Sequence, residues 1–152
     1  MLQGKESDPR QVLLEIVHLM GFEVDAEVLE EEERLLLVIR GPDSGQLIGK
    51  KGQTLDALQF LLNRMVARED SRKPIVIDSD GYRERRNEAL VQLAHRLREK
   101  ATRSGKIVAV NPMSAHDRRV IHMALKDTPG VSTRSEGEGS FRRLLIVPEP
   151  MK

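Results

Sequence analysis

Apolar positions change their spacing along the chain, and each change marks an element. Val12, Leu13, Ile16, Val17 and Met20 recur at helical spacing. Asp8 is placed to cap that helix, Pro9 suits its first position, and Gly21 stops it. Residues 22–29 (FEVDAEVL) alternate with period two and predict a half-buried strand. The acidic run 30–33 predicts a hairpin turn, and residues 34–40 (RLLLVIR) a second strand, broken by Gly41, Pro42 and Asp43. A short helix-like piece follows over 44–49, then a loop to Gly52. The next helix is expected from Thr54 to about Ala67, with Leu55, Leu58, Leu61, Leu62 and Met65 inward. Residues 73–78 (KPIVID) predict a third strand.

The pattern then begins again. Asp80 opens a long helix over about 82–103, with Leu90, Leu93, Leu97 and Ala101 as its buried stripe, ended by Ser104 and Gly105. Residues 106–110 predict a strand and Asn111-Pro112 breaks it. Ser114 followed three residues later by Asp117 resembles a capping box, opening a helix to about Leu125. Pro129-Gly130 turns the chain. Strands are expected over 131–135 and 141–147, around the link Gly137-Glu138-Gly139. The expected division is 1–79 and 80–152, with the long helix as a firm connection.

Composition narrows the function. At 152 residues the chain holds one ordinary domain or two small ones. No apolar run approaches the roughly 18 residues a membrane span needs. The opening MLQGKESDPR has no secretory hydrophobic region, so a cytoplasmic protein without membrane insertion is expected. Cysteine is absent, which excludes disulfides, thiolate catalysis and Cys-based metal sites. The aromatic residues are Phe22, Phe60, Tyr82 and Phe141, with no Trp. That scarcity speaks against a fold that stacks bases on several aromatic rings. The net charge of +1 conceals a polarity: residues 1–40 carry 4 basic and 10 acidic side chains, residues 80–152 carry 15 and 9. An acidic end and a basic end point to a polyanion-binding half.

Leu47-Ile48-Gly49-Lys50-Lys51-Gly52-Gln53-Thr54-Leu55 is the first informative string. Two glycines three apart permit a sharp bend, and two lysines sit beside a helix N-terminus whose amides and dipole favour an anion. A plain turn with solubilising lysines fits the same residues. A nucleotide-binding P-loop does not: Ser44 stands at its first glycine position and Lys51 at its Ser/Thr position. The second string is Arg118-Arg119-Val120-Ile121-His122. Arg118 and His122 are four apart, neighbours on one helical face, and Lys126 extends the line. That face is expected to be solvent-exposed, with Val120, Ile121 and Ala124 opposite. A solvated helix with a lone histidine fits equally. A metal site does not, because His116 and His122 are six apart with no third ligand. Nothing supplies a nucleophile or an oriented general base, so no catalytic residue, metal or cofactor is expected.

The first string and the helix–strand–strand–helix–loop–helix–strand order resemble a KH domain, of the type II arrangement (α-β-β-α-α-β, a three-stranded sheet with helices on one face). The resemblance implies that Gly49, Lys50, Lys51 and Gly52 hold RNA backbone while Ile48 and Leu55 line or support the groove. Asn111-Pro112-Met113, the Arg118–His122 string, Val131-Ser132-Thr133-Arg134-Ser135-Glu136-Gly137 and Arg142-Arg143 resemble, in that order, the R-x-x-x-H single-stranded nucleic-acid-binding domain, a small α+β unit with a three-stranded sheet. It implies Arg118, Arg119, His122, Lys126, Arg142 and Arg143 as its site, with RNA or single-stranded DNA as ligand; the alternation does not decide which of Arg142 and Arg143 points outward. Both domains in this order are similar to the bacterial Jag/KhpB (SpoIIIJ-associated) family over about residues 9–149. What this resemblance implies is a cytoplasmic RNA-binding protein and RNA chaperone without enzymatic activity, partnered by a small KhpA-type KH protein. It also implies links to cell-envelope homeostasis, cell-wall biogenesis, cell shape and division, and to a YidC-type membrane insertase. Many relatives carry a further N-terminal Jag domain and charged linker, and functions depending on it are not implied here. The rival expectation is a protein adaptor.

Overall fold

Asp8 opens the first helix in the computed structural model, which describes residues 7–66 and 73–150. Its carboxylate accepts from the Arg10 amide at 3.1 Å, satisfying one of the orphan donors of helix α1, Pro9–Leu19. Leu13 and Val17 are fully buried. Met20, expected in the same stripe, is 45% exposed. The helix ends one residue before it, and Gly21 at φ 88° turns the chain away.

Strand β1 (Asp25–Glu30) pairs antiparallel with β2 (Leu35–Arg40), with Ala26 opposite Ile39 and Val28 opposite Leu37. The strand expected from Phe22 starts only at Asp25. Glu23 donates its amide to the Asp43 carboxylate at 2.7 Å instead of to a ladder. β3 (Ile75–Ser79) runs parallel to β2, giving the order β1-β2-β3. A parallel neighbour needs a crossover. It comprises a single 3-10 turn over Ser44–Leu47, the glycine loop, and helix α2, Gln53–Val66. The α-β-β-α-α-β order holds, with that 3-10 turn standing for the middle helix.

Alternation puts Ala26, Leu37, Ile39, Ile75 and Ile77 on one face, where they pack with Leu13 and Val17 of α1 and with Leu55, Leu58, Leu62 and Val66 of α2. The inner face of α2 differs from expectation: Leu61 and Met65 are 43% and 45% exposed. The true stripe is 55–58–62–66, and Leu61 and Met65 each lie one position back, about 100° round the helix. The expected helix end at Ala67 lies outside the described residues. β3 is an edge strand, and α2 satisfies its outer side. Ile75 donates to Asn63 Oδ1 (2.9 Å) and accepts from Asn63 Nδ2 (2.7 Å), and Ile77 donates to Gln59 Oε1 (3.0 Å).

The chain divides into two units, Met1–Arg83 and Glu84–Lys152. The second is built from α3 (Tyr82–Ser104) beyond its first two residues, β4 (Val108–Ala109), α4 (Ala115–Leu125), β5 (Val131–Glu136) and β6 (Arg143–Pro148). Its sheet is antiparallel in the order β4-β6-β5. Leu90, Ala94 and Ala101 of α3 and Ile121 and Leu125 of α4 cover Val131, Leu144 and Ile146. Leu93 and Leu97, expected at the centre of the α3 stripe, are only partly buried, and Ala94 takes their place. Phe141, expected to begin the last strand, lies in a 3-10 turn (Gly139–Phe141) and is 78% exposed. Gly137 explains the delay. It sits at φ 89°, and a Cβ there would come 3.2 Å from the Phe141 carbonyl, so the chain folds back tightly before pairing resumes.

Ser114 caps α4, its Oγ accepting from the Asp117 amide at 3.2 Å. The Asp117 carboxylate does not return the bond, as a full capping box would. It is buried and accepts from Arg86 Nη2 at 3.0 Å and Nε at 3.3 Å. α3 and α4 are thus joined by an ion pair beneath the surface.

Candidate nucleic-acid interface

The glycine loop is rigid by construction. Gly49 has φ 71° and ψ −176°, a region open essentially to glycine alone. A Cβ there would overlap Thr54 Oγ1 and lie 2.8 Å from Thr54 Cβ. Gly52 has φ 78°, is buried, and a Cβ there would lie 2.7 Å from the Tyr82 ring. Between them Lys51 adopts the left-handed conformation, φ 55° and ψ 28°. Gly49→Ala is therefore expected to lower unfolding free energy by about 2 kcal/mol through backbone strain alone, read by urea denaturation. An unchanged midpoint would contradict the close packing of the bend.

The loop's attraction for anions resides in its side chains. The amides expected to be free at the start of α2 are engaged: Thr54 and Leu55 donate to the Ile48 carbonyl (3.2 and 3.4 Å), Gly52 to Gly49 (3.4 Å), and Gln53 to Lys50. Lys50 and Lys51 are exposed and make no ion pair among the described residues. The nearest acid on α2, Asp56, is neutralised by Arg83 Nη1 at 2.9 Å. The same guanidinium reaches Gln59 Oε1 and the Ile77 carbonyl, tying α2 to β3. Ile48, at the loop's edge, is partly buried and packs against the core. Leu55 is fully buried, so of the two roles expected of it, lining the groove or supporting it, its position fits support: it holds the loop from beneath.

On α4, Arg118 and His122 meet a matching pair on β5. Arg118 Nη1 donates to Ser135 Oγ at 3.2 Å and its Nε to the Met113 carbonyl at 3.2 Å. His122 Nδ1 lies 2.6 Å from Thr133 Oγ1. The fit follows from repeat lengths: four residues of helix advance about 6 Å, and two residues of strand advance about 6.6 Å. The pair is therefore pinned, which corrects the expectation of a wholly solvent-exposed face. Arg118 is part-buried, while His122 is exposed with Nδ1 engaged and Nε2 as its other nitrogen. The sequence reading missed Thr133 and Ser135 as orienting groups, although they stand two apart on the strand the alternation predicts. Arg118→Ala strands two acceptors and is expected to cost about 1–2 kcal/mol of stability, whereas His122→Ala leaves the thermal midpoint unchanged within error. An Arg118→Ala midpoint equal to that of the native chain in a melting experiment would sink the pinned arrangement.

The remaining cations separate. Arg119 on α4 and Lys126, the residue that caps its C-terminus, are exposed. Arg143 is exposed but bound through Nε and Nη2 to Glu136 Oε1 at 2.9 and 2.7 Å. Arg142 is partly buried and precedes the strand, its Nη1 donating to the Gly137 carbonyl at 2.7 Å. So Arg143 points outward, but as half of an ion pair, and both arginines brace the glycine link. Among the described residues no cluster of three metal-ligating side chains occurs, and no helix is long and apolar enough to cross a membrane.

Comparison with known proteins fits both halves. Residues 10–77 match the KhpA/KhpB KH domain, and residues 88–148 match the R-x-x-x-H domain. The chain is 40% identical over 128 residues to the RNA-binding protein KhpB of Clostridium symbiosum, covering 84% of this chain and 58% of that protein. It is 34% identical over 125 residues to RNA-binding protein KhpB of Bacillus subtilis (80% and 60%) and 33% identical over 136 residues to that of Lactiplantibacillus plantarum (89% and 42%). It spans less than two thirds of the length of each of these relatives. With a glycine loop on a mixed KH-type sheet and an Arg–His helix on an antiparallel one, in the order and positions those matches require, the chain belongs to the KhpB (Jag) family, in which a KH domain precedes an R-x-x-x-H domain.

Proposed function

We propose that the chain binds single-stranded RNA, without catalysis, at two cationic surfaces in series. The observation that carries this reading is the glycine bend, a closely packed backbone turn that presents Lys50 and Lys51, which make no ion pair among the described residues. A fixed turn suits a flexible sugar–phosphate chain because the protein backbone loses little entropy on binding. The Arg118–His122 pair supplies the second contact, already oriented by β5. Single-stranded DNA competes with RNA there, since neither side chain addresses the 2′-hydroxyl uniquely. Two weak sites on one chain raise affinity through effective concentration. The names of the relatives, RNA-binding protein KhpB, support the ligand.

The finer reading is that of an RNA chaperone or post-transcriptional regulator working in the cytoplasm with a small KhpA-type KH partner, in processes that shape the cell envelope. The rival, an adaptor on a YidC-type insertase, draws on a different observation: Phe60, Leu61 and Met65 of α2 are exposed apolar side chains with room for a protein partner. Cross-linking in cells followed by sequencing of the attached nucleic acid separates the two. RNA recovered with the native chain and lost with Lys50→Asp plus Lys51→Asp supports RNA binding. A co-purifying protein with no RNA above background favours the adaptor.

A further inference from the structure

A groove of about 560 Å³ lies between α3 and α4. Val91, Val120, Met123 and Ala124 are its apolar lining, and His95, His116 and Arg119 its polar lining. The lining follows from two helical repeats: Val91 and His95 fall at i and i+4 on α3, and His116, Val120 and Met123 at i, i+4 and i+7 on α4. Two features set it apart from an ordinary seam. Met123 is 52% exposed, its thioether outside the core although Ile121 and Leu125 beside it are buried. And, among the described residues, the charged or titratable groups that line it are two imidazoles and a guanidinium, with no carboxylate. His116 is oriented as well, its Nε2 lying 3.3 Å from Asn87 Oδ1.

We infer that this groove receives an unpaired nucleobase from the same single strand whose phosphates meet Arg118 and His122. The inference rests on the proposed RNA binding and adds to it a site where the base, not the backbone, is held. Bases splayed from a strand stack on histidine rings and arginine planes as well as on Phe, Tyr or Trp. A methionine sulfur against an aromatic ring adds a favourable contact. In a chain with only 3% aromatic residues, histidine, arginine and methionine side chains extend the few rings available for stacking. The strand has a short path: Arg119 is the immediate neighbour of Arg118 and lies three residues, one helical turn, from His122. A phosphate passing over Arg119 brings the adjacent base to the apolar lining of Val120 and Met123. An acidic amphipathic peptide is the competing occupant, and the test distinguishes it.

The test compares two oligomers of equal length and charge on the full chain: a single-stranded RNA and the same backbone with its bases removed. Met123→Ala with His116→Ala alters two exposed side chains, so the fold is retained. The double variant should lose on the order of tenfold in affinity for the RNA by fluorescence anisotropy and less than twofold for the abasic oligomer. In the native chain, the methyl resonance of Met123 should shift on adding the RNA while that of Met20 stays in place. Unchanged RNA affinity, or equal losses on both oligomers, overturns the groove assignment and leaves RNA binding intact. A Met123 methyl that moves with an acidic amphipathic peptide and not with RNA overturns it in favour of a protein partner. Failure of the native chain to bind either oligomer overturns the RNA reading itself, and the groove assignment with it.

Discussion

Reversing the loop charge, by Lys50→Asp with Lys51→Asp, is expected to weaken binding of single-stranded RNA by at least about tenfold at low ionic strength. The salt dependence should flatten by roughly 1.4 in log–log slope, because each lost phosphate contact on a single strand removes about 0.7. The fold should survive for a specific reason. Lys51 sits at φ 55°, and aspartate is among the few residues that tolerate the left-handed region. Both side chains are exposed, and neither has an ion pair to break among the described residues. Gly49 and Gly52, which create the bend, are untouched. The change is therefore electrostatic and local. An affinity and slope equal to those of the native chain would remove the glycine loop from the binding surface.

The largest expected loss of stability lies elsewhere. Asp117→Ala should lower the unfolding free energy by about 3 kcal/mol, the scale for leaving one partner of a buried pair uncompensated. The side chain of Asp117 is 8% exposed and that of Arg86 is 23% exposed, so the stranded guanidinium gains only partial access to water. Its two nitrogens lose their acceptor at once. Replacing both residues, as Arg86→Leu with Asp117→Leu, should recover much of the loss, because an apolar pair of similar volume bears no desolvation cost. Urea denaturation of the three proteins measures this. A loss under about 1 kcal/mol for Asp117→Ala would show that the pair is screened like a surface salt bridge.

How far the sequence reaches depends on which interactions it encodes locally. The bend at Gly49 and Gly52 is legible because its glycine requirement is a property of two residues and their neighbours. The caps at Asp8 and Ser114 are legible for the same reason. The Arg118–His122 alignment also follows from spacing, but its consequence does not: a strand seventeen residues further along supplies Ser135 for Arg118. Periodicity shows that the pair shares a face and not what that face meets. Asp117 reads as half of a capping box, yet a long-range arginine on α3 claims its carboxylate. Leu61 and Met65 fail for a different reason. They are apolar in an apolar helix, and only the packing of α2 on the sheet decides that 55, 58, 62 and 66 are inside. Leu55 and Ile48 show the same limit: both border the glycine loop, and tertiary packing alone makes one a support and leaves the other at the edge. The α3–α4 groove combines two helical repeats, each plain in the sequence, and becomes a site only when packing sets them side by side.

Ultraviolet cross-linking of the purified chain to a single-stranded RNA, with the attachment points read by mass spectrometry, tests the central claim most directly. Adducts are expected only at residues 48–52, on the α4 face around Arg118, Arg119 and His122, and in the α3–α4 groove beside it, lost from each region when its own cations are replaced. Adducts spread evenly over the surface, or none at an ionic strength low enough to favour any polyanion, would contradict it.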